Sequence, residues 1–172
     1  RPWDAERARI ELTNDSQTID IESGDPDWDA AFALSQQSAF RLLFDKSENL
    51  PHTSFVTARQ PDHGNSLKGD GSDYAANWNG QTPLDAYYLA NLLPGIPELG
   101  QDLVKTFISV QDENGIIDLK PGIAGQRSKI LATPLLASLA WKVYEESQDE
   151  SFLVEAYPAL QKFFWAWFDP EH

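Results

Sequence analysis

Two stretches of the chain hold most of the side chains that could do chemistry. The first reads Arg59-Gln60-Pro61-Asp62-His63-Gly64-Asn65, then Gly69-Asp70-Gly71-Ser72-Asp73-Tyr74, then Asn77-Trp78-Asn79-Gly80-Gln81. The second reads Asp118-Leu119-Lys120-Pro121-Gly122 and Gly125-Gln126-Arg127-Ser128-Lys129. Both mix an aromatic or glycine frame with planar polar groups. That is the equipment of sugar recognition: an indole face lies under the ring C–H groups, while amide, carboxylate and guanidinium forks take vicinal hydroxyls. Trp78 is the candidate platform, and Asp70, Asn79, Gln81, Gln126 and Arg127 are the candidate forks. Cleaving a glycosidic bond then requires two carboxylates flanking it, one protonated and one ionised. Asp73 and Asp85 are the candidate carboxylates, with Asp70 behind them.

Each of these residues also has a plainer reading. Asp70-Gly71 with Asp73 suits a turn or one side of a calcium loop, but lacks the further spaced acids and the terminal Glu of an EF-hand. Asp85 stands three residues after Thr82, the position that closes a capping box at a helix start. Trp78 suits a core position, Arg127 a surface ion pair and His63 a hydrogen-bonded loop. The chain has three histidines and no cysteine. A metal centre built on His or Cys, a disulfide and a cysteine nucleophile are therefore not expected. Neither a Gly-x-Ser-x-Gly elbow nor a phosphate loop occurs. No cofactor is implied.

These loops must be held by something, and the spacing predicts helices. Trp28, Ala31, Phe32, Ser35, Ala39, Leu42 and Leu43 recur at threes and fours, giving a helix from about Asp27 to Phe44. A second helix opens at Thr82-Pro83 and stops before Pro94-Gly95. A third begins at Pro97-Glu98, carries Leu99, Leu103, Phe107 and Val110 as its stripe, and ends at Asn114-Gly115. A fourth repeats the Thr-Pro opening at Thr133-Pro134. The fifth spans about Ser151 to Phe168, with Pro158 expected to kink or split it. Residues 1–26 read as an extended arm or connector, in which Arg9-Ile10-Glu11-Leu12 alternates like a short strand. Residues 27–172 read as the helical domain.

The connections alternate between short and long. Short ones force antiparallel neighbours, so the two long ones, 45–81 and 112–132, are expected at one end of the array. There they would enclose a pocket containing Asp73, Trp78, Gln81 and Arg127.

The chain has 172 residues, of which 41% are apolar and 12% aromatic, enough for one ordinary core. Its formal net charge of −14 repels phosphate backbones and anionic lipid, so neither nucleic acid nor membrane is an expected partner. No apolar run reaches the length of a membrane span. The compartment is left open, with the cytoplasm favoured. The aromatic run Phe163-Phe164-Trp165-Ala166-Trp167-Phe168 is expected to form an apolar flank, as in a fragment of a longer chain.

The run Trp78-Asn79-Gly80-Gln81-Thr82-Pro83-Leu84-Asp85-Ala86 resembles the opening of an inner helix in the six-hairpin, (α/α)6-toroid glycosidases. It is most similar to glycoside hydrolase family 63 and to the glucosidase domain of glycogen-debranching enzymes. The segment Val110-Gln111-Asp112-Glu113-Asn114-Gly115-Ile116-Ile117 resembles the end of that family's next outer helix. The two helices from Thr133 to Leu160 are similar to its following hairpin, and the likeness covers roughly residues 27–168. The resemblance implies an all-α fold, the first part of an (α/α)6 toroid. It also implies a carbohydrate substrate with α-glucosidic bonds, hydrolysed with inversion. The family's acidic position falls on Gln81 here, so the acid role would move to Asp85 one turn on, or to Asp70 or Asp73. Six hairpins need about twice this length. The general base would then lie in the remainder of the parent chain, and this segment alone would be inactive. A non-catalytic sugar- or protein-binding helical module is the alternative.

Overall fold

The computed structural model describes residues 21–57, 78–92 and 96–169. The expected strand at residues 9–12 and the candidate acids Asp70 and Asp73 lie outside the described residues. Among those described, the chain is mainly α-helical, with five helices and one two-stranded sheet. It divides into two compact units at Leu42/Leu43.

In the first unit, helix α1 (Pro26–Phe40) starts where Asp25 accepts a hydrogen bond from the Asp27 amide, with Pro26 in the first turn. The Ser23 hydroxyl (2.6 Å) and amide (2.9 Å) both donate to Asp29, tying the lead-in to the helix. Those bonds, the hydroxyl's first, hold the Asp29 carboxyl below the usual carboxylate range. Ala30, Gln36 and Ala39 are buried, whereas Trp28 and Ala31 are exposed. Spacing pointed to a different stripe because residues 30–34 are all apolar and populate every side of the helix. The helix stops at Phe40, short of the expected Phe44.

In the second unit, Leu43–Phe44 form a short strand, β1. It pairs antiparallel with β2 (Ser54–Phe55), in the register Leu43 to Phe55 and Phe44 to Ser54. Helices α2 (Pro83–Leu92), α3 (Pro97–Ser109), α4 (Leu135–Ser147) and α5 (Glu150–Ala166) follow. Helix α4 is central: it packs against α2, α3 and α5, and α3 also packs on α5. Leu103 and Phe107 of α3, Leu136 and Leu139 of α4 and Phe152 of α5 are wholly enclosed. Each contributes roughly 1.5–3 kcal/mol through burial. Gly100 lets α3 and α4 approach closely, since a Cβ there would lie 2.8 Å from Val143.

Local chemistry explains the joints. Gln148 takes a left-handed conformation (φ 53°) that ends α4, and Asp149 at once caps α5. Its carboxylate accepts from the Ser151 hydroxyl and, across the interface, from the Gln101 amide of α3. The Ser151 bond first and the Gln101 bond second hold the Asp149 carboxyl below its ordinary range. Helix α5 is not split by Pro158. The carbonyl that loses its donor belongs to Val154, an exposed residue where water can serve instead. Beyond α3, Gln111 donates to the carbonyls of both Gly115 and Ala159, each at 2.9 Å, and so fastens the exit of α3 to α5. Gly115 stands at φ 90°, where a Cβ would come 2.7 Å from the Lys162 carbonyl of α5.

Candidate functional site

The site is assembled from backbone first. Gly80 bridges to Thr57 on one side and to Gly122 on the other, a seam of three segments that are remote in sequence. The Gln81 amide donates to the Pro121 carbonyl (3.2 Å), and the Ile123 amide to that of Asn79 (3.1 Å). Residues 78–81 of the first long connection and 118–126 of the second therefore meet. Close approach requires glycine at Gly122, where a Cβ would lie 2.7 Å from the Trp78 ring.

Residues 118–131 form a loop closed at its neck. The Leu119 amide donates to Ile130 and the Ala132 amide to Ile117, both at 2.8 Å. Asp118 knits the interior. Its carboxylate accepts from the amides of Lys120 (2.8 Å), Ser128 (3.0 Å) and Lys129 (2.7 Å), and from the Ser128 hydroxyl (2.9 Å). Lys129 is held at φ 58°. A cavity of about 440 Å³ lies against this loop, lined by Ile116, Asp118, Lys129, Ile130 and Leu131. The sequence reading did not single out Asp118. An acid two residues before a Lys-Pro-Gly turn is the signal that was there, because an Asp side chain bonds the amide two positions on.

The candidate platform, Trp78, is buried. Its indole N–H donates to the Lys120 carbonyl (3.0 Å), and the Lys120 ammonium stands 5.6 Å from the ring centre. Asn79 is buried beside it. Gln126 lies at the loop tip, its side-chain oxygen accepting from the Ala124 amide. Arg127 is exposed, and its guanidinium donates to the Gln126 carbonyl.

Gln81 is wholly buried and turned inward. Its side-chain oxygen accepts from the Phe55 amide (2.7 Å), and its side-chain NH2 donates to the Leu103 carbonyl (2.8 Å). These partners fix which end is oxygen and join β2 to α3. Asp85 is half-buried at the start of α2. The Thr82 hydroxyl donates to its carboxylate (2.6 Å) and accepts from its amide (3.2 Å). The Thr57 hydroxyl stands 3.4 Å from the same carboxylate oxygen. The second Thr-Pro start differs. Thr133 has Leu136 where Thr82 has Asp85, α4 begins only at Leu135, and the shielded Thr133 hydroxyl has no hydrogen-bond partner among the described residues.

Among the described residues no cluster of three or more His, Cys, Asp or Glu could hold a metal ion. No described helix is long and apolar enough to cross a membrane. The chain matches no family model, and no curated protein matches it.

Proposed function

We propose that the chain is part of a glycoside hydrolase that acts on α-glucosidic bonds with inversion, its helices forming the first part of an (α/α)6 toroid. The observation that carries the reading is the meeting of residues 78–81 with 118–126 at the start of α2. It brings the segment with Trp78 and Asn79 against the loop that carries Gln126, just before the helix that carries Asp85, which supports the sugar site that the resemblance implies. In this reading Asp85, or Asp73 outside the described residues, donates the proton to the leaving oxygen. Asp70, Trp78, Asn79, Gln81, Gln126 and Arg127 shape the sugar site, Gln81 through the backbone that it braces. The base comes from the remainder of the parent chain.

The bonding of Gln81 and Asp85 favours a second reading, a non-catalytic sugar- or protein-binding module. The Gln81 amide is spent on backbone groups, and the Asp85 carboxylate on a helix cap.

The test is hydrolysis of α-linked gluco-oligosaccharides by the full-length parent, with the anomer of the product followed by NMR. The enzyme reading expects inverted product and a loss of about 10² or more in turnover for either Asp73→Asn or Asp85→Asn. Oligosaccharide binding without turnover moves the module reading ahead. Neither binding nor turnover defeats both.

A further inference from the structure

A groove of about 880 Å³ runs between α4 and α5, on helices that hold none of the sugar-site residues. Its walls include Trp141, Leu153, Val154, Tyr157, Phe164 and Trp165, and none of its lining residues is charged. Trp165 and Tyr157 are both more than 60% exposed. Phe164, Trp165 and Phe168 meet edge-on or tilted, their ring centres 5.0–6.4 Å apart, extending the apolar surface toward the end of α5. Two adjacent helices with an apolar furrow between them accept a third helix, whose ridge of side chains fills the furrow. A patch of this kind on a folded surface marks an interaction site.

Charge says what kind of helix. One turn beyond Trp141 stands Glu145, and one turn before Val154 stands Glu150. Both are exposed, at the end where α4 meets α5. Neither makes an ion pair with a described residue. The nearby cations are directed elsewhere: Lys142 pairs with Glu146, Lys105 pairs with Glu155, and the stem of Lys162 packs over Gly115. The groove is thus apolar along its length and negative at one end. A second copy of the chain would bring another net charge of −14 to the same place.

We propose that this groove docks an amphipathic helix whose apolar stripe is flanked by Lys or Arg at one end. The helix buries its stripe between α4 and α5 and sets its cations against Glu145 and Glu150. It uses none of the sugar-site residues, and under the toroid reading the docked helix is supplied by the remainder of the parent chain.

The probe is a synthetic helical peptide of about 18 residues, close to the length of α5, with a Leu stripe and Lys at one end. Controls carry Glu in place of Lys, or the same residues scrambled. Titration calorimetry and the blue shift of tryptophan emission report binding. Micromolar binding is expected for the Lys peptide, with at least tenfold weakening for both controls, for Glu145→Gln/Glu150→Gln, for Trp165→Ser and at high salt. The Glu substitutions lie on the exposed surface, so circular dichroism of that variant separates lost binding from lost folding. Equal binding of the Lys and Glu peptides overturns the proposal, as does absence of binding. Two further results assign the groove elsewhere and overturn it too: concentration-dependent dimers that compete with the peptide, and adsorption to uncharged lipid vesicles without peptide binding.

Discussion

Gln81 offers the sharpest test of how this molecule is braced. Replacing it by leucine keeps the volume and removes both polar ends. The Phe55 amide, bonded at 2.7 Å to this wholly buried side chain, loses its partner, while the Leu103 carbonyl, 2.8 Å from the side-chain NH2, keeps its place in the ladder of α3 and loses only a second donor. An orphaned amide costs roughly 1–3 kcal/mol and a lost second hydrogen bond about 0.5–1.5 kcal/mol, and added apolar packing offsets part of both. A net loss of about 1–4 kcal/mol is expected for Gln81→Leu. With a urea dependence of about 2 kcal/mol per molar, the midpoint falls by roughly 0.5–2 M. Tryptophan fluorescence reports the transition. Gln81→Glu adds a pH signature. A carboxylate still accepts from Phe55 but cannot donate to Leu103, so the fold favours the protonated form and raises the group's folded pKa above its unfolded value. Stability is then kept below the unfolded value and lost as pH rises toward the folded one. A midpoint for Gln81→Leu within about 0.3 M of the parent would refute the reasoning, as would a Gln81→Glu variant that gains stability with rising pH.

Two further outcomes follow from the same kind of accounting. Gly115→Ala forces a side chain into φ 90° and against the Lys162 carbonyl, so the cost is about 1–2 kcal/mol for the backbone and about 1–3 kcal/mol for displaced packing. Calorimetry should show the melting temperature lowered by roughly 5–15 °C, and an unchanged temperature would mean that α5 yields freely there. The Asp149 carboxyl is held below its ordinary range, so its contribution is whole above the unfolded aspartate value and lost as pH falls through the lower folded value. The difference in urea midpoint between the parent and Asp149→Asn should therefore close on acidification, and a difference that widens in acid contradicts the assignment.

The helices were legible where punctuation and period agreed. Pro97 opens α3 and the Leu103–Phe107 stripe is buried, as spacing predicts. Thr82 accepts from the Asp85 amide, the half of a capping box that their separation suggests, but the Asp85 carboxylate takes the Thr82 hydroxyl rather than its amide. The unbroken α5 was not legible, because whether a proline interrupts a helix depends on what the freed carbonyl faces. The end of α1 was missed because Leu43 and Phe44 are as apolar in a strand as in a helix, and only their partner Ser54–Phe55 decides. At the candidate site, sequence placed Trp78 and Gln126 on connections that meet. It could not reveal that the Gln81 amide turns inward, since an amide suits a hydroxyl and a backbone carbonyl equally. Lys120 over the Trp78 ring has no sequence spacing at all, because it depends on the loop closing through Asp118.

The seam at Gly80 has a consequence for how this region opens. Gly80 is shared by two bridges, and the strips on either side come from distant parts of the chain. Residues 118–126 cannot swing outward without withdrawing the partners of the Gln81 amide and the Trp78 indole in the same movement. The lost bonds therefore fall together, and the loop and residues 78–81 form one cooperative unit of local unfolding. Their slow amides should exchange with solvent at matching rates, and a molecule that settles against one strip would quiet both.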